Sequence, residues 1–130
     1  MTNEIPKQEW KGFFDEISRN RLAWQSRVEV LKEDIGAQVL AENLPLMGVM
    51  FEEKADGKGA IEIMLGGEPG APHQTHTIFD PTKAAFLEND RSAGGILEIE
   101  DASGTKTLLE ISPPVAVEVT YTEVGIFTSN

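Results

Sequence analysis

The 130-residue sequence predicts a mainly β protein. The expected form is an antiparallel meander making a small barrel or strongly bent sheet, with one N-terminal amphipathic helix packed on it. Three observations carry this. Apolar residues recur at helical spacing only near the N-terminus. From Trp24 to at least Ile111 they alternate every second residue. Gly, Pro and Asp punctuate these runs at hairpin intervals. Strands in succession with short turns favour a meander, and a sheet of about eight strands tends to curl or close, which hides its edges.

The helix is placed over residues 6–20, PKQEWKGFFDEISRN. Trp10, Phe13, Phe14 and Ile17 fall at i, i+3, i+4 and i+7 and form one apolar stripe. Pro6 suits the first helical position, where no N–H is needed. Glu9 near the start and Arg19 and Arg21 at or past the end favour the macrodipole. Asp15 and Arg19 are spaced to pair. Gly12 costs about 1 kcal/mol relative to Ala without reversing the assignment. The stripe is expected to plug the domain's own core rather than to meet a partner.

The β runs follow in order. Trp24, Ser26, Val28 and Val30 alternate with Gln25, Arg27, Glu29 and Leu31; Ala37, Val39 and Ala41 alternate with Gln38, Leu40 and Glu42. Met47, Val49 and Phe51 share one face, as do Ile61, Ile63 and Leu65. Further runs occupy 74–79, 83–89, 96–101 and 105–112, with a last one through Val115, Val117, Val119 and Tyr121. Asp34-Ile35-Gly36, Asp56-Gly57 and Asp101-Ala102-Ser103-Gly104 read as hairpin turns, the last with Gly104 at positive φ. Pro45 belongs at an edge or bend, so 37–53 is expected to be two strands. The loops 66–72 and 89–95 are the longest and most mobile candidates. The chain is read as a single domain, 1–130, with the meander over about 22–112 and a C-terminal strand or tail at 113–130. The tail either completes the barrel or adds to a second chain.

Composition narrows the chemistry. No cysteine is present, which removes disulfides, thiolate zinc sites and cysteine nucleophiles and fits a reducing cytoplasm. The start, Met1 to Pro6, has neither a basic nor an apolar leader region, and no apolar run approaches the roughly 20 residues that span a bilayer. A cytoplasmic protein is therefore expected. Its net charge of −11 disfavours nucleic acid and anionic lipid as partners. Arg19, Arg21 and Arg27 are the densest basic group and are diluted by acid.

The segment HQTHTIFDPTKAAFLEND, residues 73–90, holds both histidines. His73 and His76 are three apart, so on one strand they face opposite ways and make a poor metal clip. A site of His73, His76 and Asp80 would need the loop to fold back and is the disfavoured alternative. Asp80-Pro81 has the residues of a type I turn, so the segment is read as a β-hairpin. On its first strand His76 shares a face with Gln74 and Ile78. No P-loop, GxGxxG or Gly-x-Ser-x-Gly is present, and Gly66-Gly67-Glu68-Pro69-Gly70 lacks the Lys-Ser/Thr of a phosphate loop. Glu98 and Glu100 lie on one solvated strand face rather than in a calcium loop.

Several pieces in order resemble an uncharacterised bacterial family, the domain of unknown function 5335 family. They are E-I-P with W-x-x-F-F-D-x-x-S (Glu4 to Ser18), W-x-x-x-V-E-V (Trp24 to Val30), D-I-G-A-Q-V-x-A (Asp34 to Ala41), L-P-L-x-G (Leu44 to Gly48), T-H-T-I (Thr75 to Ile78) and T-L-L (Thr107 to Leu109). The resemblance spans about residues 3–112 and implies no activity. Gly36 and Gly48 suit turn or bulge positions and Pro45 a bend. His76 and Asp34 are the polar members without a packing role and are the candidates for ligand or partner binding.

The leading functional expectation is a non-enzymatic protein-interaction or self-association module. The alternative is a small-ligand-binding barrel with an interior lined by Trp24, Val28, Val30 and Phe51. Such interiors are usually filled by side chains. An enzyme using His76 with an acidic partner ranks third. No catalytic residue or metal ligand is assigned, and no cofactor is expected.

Overall fold

The structure is a computed structural model that describes residues 3–67, 73–89 and 94–114. Its elements are β1 (Asn3–Glu4), a 3-10 turn (Lys7–Glu9), α1 (Trp10–Asn20), β2 (Gln25–Lys32), β3 (Gly36–Glu52), β4 (Ala60–Leu65), β5 (Gln74–Phe79), β6 (Pro81–Glu88), β7 (Gly95–Asp101) and β8 (Lys106–Ser112). The strands form one eight-stranded sheet in the order β1-β6-β7-β8-β2-β3-β4-β5. All its pairings are antiparallel. The fold is thus mainly β with one N-terminal helix, as expected. The sheet is bent and does not close into a barrel: β1 and β5 stand at its two ends and do not pair. Residues from both ends, including Ile61, Ile63 and Ile78 on one side and Leu97, Leu109 and Ile111 on the other, nevertheless share one buried cluster. A flat sheet could not bring them together.

The helix packs chiefly on β3 and reaches β6. Trp10, Phe14 and Ile17 are buried and Phe13 packs at the margin of the core. The Trp10 ring meets Phe51 of β3 edge-on at 5.0 Å, and the Phe13 ring meets Phe86 of β6 at 5.5 Å. One amphipathic face therefore bridges strands from separate parts of the sheet. Burying each of these large side chains contributes about 1.5–3 kcal/mol. The helix begins later than the predicted residue 6. Pro6 stays extended (φ −59°, ψ 145°), and its carbonyl accepts the Glu9 N–H at 2.8 Å to start the 3-10 turn. At the other end Ser18 fixes the helix to the sheet: its Oγ accepts the Val49 N–H at 2.9 Å and lies 2.8 Å from the Phe14 carbonyl. Asp15 and Arg19 form the expected ion pair.

Pro45 does not split 37–53 into two strands. Instead β3 is continuous over 17 residues and changes partner there. Its first part, Gly36 to Pro45, pairs with β2, and its second, Leu46 to Glu52, pairs with β4. Pro45 has no N–H to give, and its carbonyl accepts from Gly66 at 2.9 Å, already on the β4 side. Three irregularities bend the strand. Leu40 is an extra residue between Val39 and Ala41, Glu42 and Asn43 together oppose Arg27, and Met47 is extra between Leu46 and Gly48. Asn43 takes φ +57°, and each bulge adds local twist. Gly48 sits at a bulge as expected.

The predicted hairpin across Asp80-Pro81 is not formed. β5 pairs with β4, and β6 pairs with β1 and β7. Asp80 adopts φ +52°, outside the type I turn region. Its N–H donates to Gly59 and its carbonyl accepts from Ala102, at 3.2 and 3.0 Å. Two different loops thus hold its backbone, and the chain turns a corner from one half of the sheet to the other. The predicted turns at Asp56-Gly57 and Asp101–Gly104 are present. Gly57 and Gly104 take φ +80° and +87°, and the Asp101 carboxylate accepts from the Ser103 and Thr105 N–H groups. From residue 115 on, the strand or tail predicted at 113–130 lies outside the described residues. So do 68–72 and 90–93 of the two loops predicted to be most mobile. Among the described residues no helix is long and apolar enough to cross a membrane.

Candidate functional site

Of the two candidate residues, His76 lies on β5, whose sequence is Gln-Thr-His-Thr-Ile-Phe. Threonine and isoleucine are β-branched and suit an extended pleat. Alternation turns Ile78 and His76 toward the core and leaves Thr75, Thr77 and Phe79 on the outer face, as the sequence predicts. Ile78 is buried, His76 half-buried, and Phe79 is 71% exposed. Across the strand pair His76 stands opposite Ile63, which is fully buried. Partial burial beside this apolar neighbour lowers the His76 pKa from its ordinary value, because desolvation penalises the imidazolium. No hydrogen bond or ion pair holds its ring among the described residues.

His76 lines a recess of about 260 Å³ between β5 and β3. Val28, Leu40, Ala41 and Leu65 form its apolar walls, and Gln74, Thr75 and His76 form its polar side. The walls exist because β3 is bulged on both sides of Ala41. Leu40 and Ala41 are neighbours that strict alternation would send to opposite faces, and with the bulge at Leu40 both line the recess. Among the described residues no carboxylate lines the recess, so none of the described walls supplies the acidic partner required for acid–base work by His76.

Asp34 is elsewhere. It sits in the turn between β2 and β3 and lines a separate cleft with Lys32, Glu33 and Ser103 to Thr105 of the β7–β8 turn. The two recesses share none of the described residues. The disfavoured His73–His76–Asp80 grouping is pulled apart by the same strand. His73 precedes β5 and Asp80 follows it, and an extended run of that length separates them by roughly 20 Å. Among the described residues no three His, Asp or Glu side chains come together as a metal-ligand set.

The interior proposed for the ligand-binding barrel is filled. Val28 and Phe51 belong to the packed core, Trp24 packs against it, and Val30 is buried. The recess that Val28 reaches lies at the β3–β5 rim instead. Sequence reading did not find Leu40 or Gln74 as rim residues. The one available signal was Leu40 itself, an apolar residue on the face assigned to Gln38 and Glu42. It also did not find that Arg21 lies over the Trp24 and Phe86 rings, 5.7 and 5.4 Å from their centres. That packing joins the α1–β2 connection to β6, and no local spacing encodes the contact between Arg21 and Phe86.

The second property of β5 is its edge. β4 occupies one side, and among the described residues nothing pairs with the other. The opposite end of the sheet is β1, only two residues long. Short edge strands and charged edge residues are ordinary protections against strand addition. β5 has six residues and none is charged.

Comparison with known proteins adds a family and no activity. A family model described as a family of unknown function (DUF5335) matches residues 1–120. An uncharacterised protein from Aquifex aeolicus is 32% identical over 114 residues, which cover 88% of this chain and 95% of that protein. No solved structure matches.

Proposed function

The chain belongs to the DUF5335 family of unknown function, which carries no activity to transfer, and we propose from its own geometry that it is an interaction module that self-associates through β5. The observation that carries this reading is the open, uncharged edge of β5, six residues long among the described residues. Its unpaired backbone donors and acceptors are a template for an added strand. A second copy is the simplest occupant, because two-fold antiparallel pairing uses the same strand twice. Centred on Thr77, it sets Thr75 beside the partner's Phe79, a β-branched and aromatic pair of the kind that stabilises sheets. It brings no like charges face to face. It also covers Phe79, which is otherwise among the most exposed apolar side chains described.

The test is Thr77→Lys. Inside one chain the new ammonium faces Glu62 across the β4–β5 pair, so the fold is retained. Across the two-fold axis it faces its own copy, and like charges directly opposite destabilise a pair. Light scattering should give a dimer for the natural protein and a monomer for Thr77→Lys. A natural protein that stays monomeric up to hundreds of micromolar would discard the reading.

A further inference from the structure

We propose that the recess between β3 and β5 binds a compact neutral molecule with an apolar body and one hydroxyl or amide group. Four features select that chemistry. The recess holds about 260 Å³. An apolar cavity of about 150 Å³ already accepts benzene, so one ring with a short substituent fits here. Val28, Leu40, Ala41 and Leu65 offer the body an apolar wall. His76 and Gln74 offer the substituent hydrogen-bond donors and acceptors, and no protein group among those described occupies the imidazole. The bulge at Leu40 turns an apolar side chain into the rim, where ordinary alternation would have placed it elsewhere.

Charged ligands fit poorly. A carboxylate would enter an apolar recess with no cationic partner among the described residues of its walls, and the protein's net charge of −11 repels it from a distance. An ammonium would find no carboxylate among the described residues of the walls. A hydroxyl or amide both donates and accepts, which matches the neutral imidazole with its one donor and one acceptor nitrogen.

The probes are phenol, benzamide, toluene and benzoate, titrated into the full chain while the ring resonances of His76 and His73 are followed by NMR. Phenol and benzamide should shift His76 saturably and leave His73 still. Toluene and benzoate should bind at least about tenfold more weakly, the worth of one hydrogen bond or of an unpaired charge. Ala41→Leu fills the recess and should abolish the shift. If that variant does not fold, Leu40→Trp blocks the same recess from its exposed rim. The Thr77→Lys chain should bind phenol unchanged, since Thr77 does not line the recess, so failure of the self-association reading leaves this result intact. No His76 shift at about 10 mM phenol, equal binding of benzoate, or a shift that survives both blocking variants would overturn the proposal.

Discussion

His76 shows how a single side chain can be placed by alternation and tuned by surroundings that alternation cannot specify. Its direction on β5 follows from the spacing to Ile78, and the structure places it on that inward face. Its environment depends on Ile63 and on the bulged segment of β3, which no local pattern announces. Burial holds its folded-state pKa below the value of the unfolded chain, near 6.5. Below that value the unfolded chain takes up the proton more readily than the folded one, so this residue makes stability fall as pH drops through 6.5 toward the lowered folded pKa. Above about pH 7.5 its titration contributes no slope. The difference in melting temperature between the natural protein and His76→Gln, followed from about pH 8 to 5.5, should therefore change in this window. A difference independent of pH would mean that the ring is as well hydrated as in the unfolded chain.

At the scale of elements, the attachment of α1 is the most specific contact. Ser18 on the helix accepts the Val49 N–H, and Val49 itself is buried. Ser18→Ala leaves that N–H without its acceptor while slightly improving helix propensity. Stability should fall by about 1–2 kcal/mol, read from urea denaturation with an unchanged m-value. A loss within experimental error would show that water replaces the hydroxyl. The helix stripe was legible because Trp10, Phe13, Phe14 and Ile17 are near neighbours in sequence. The hook at Ser18 was not, since it joins residues 31 positions apart. The same division separates the turns. Asp56-Gly57 and Asp101–Gly104 were readable because their geometry is decided within four residues. Asp80-Pro81 was misread because Gly59 and Ala102, both distant in sequence, hold the Asp80 backbone in a left-handed corner. β1 was missed because two residues carry no period. Of the two site candidates, His76 lines the rim recess, whereas Asp34 was singled out for its polarity and lies in a different cleft.

For the whole molecule, the acidic charge bears on the self-association proposed above. Each carries −11, so association through an uncharged edge works against a long-range repulsion. Salt screens that repulsion, with a Debye length of about 10 Å at 0.1 M and about 3 Å at 1 M. The dimer constant measured by sedimentation should tighten as sodium chloride rises from about 0.05 to 0.5 M. Weakening over this range would instead identify a complex held by opposite charges and redirect attention to a basic partner. The chain's bent outline also bears on how it comes apart. Because β3 is one uninterrupted strand bonded first to β2 and then to β4, neither lobe has a backbone boundary of its own at which to detach. Amide exchange in β2 and β4 should accordingly report a common opening free energy, with Pro45 acting as a coupling between lobes rather than as a seam.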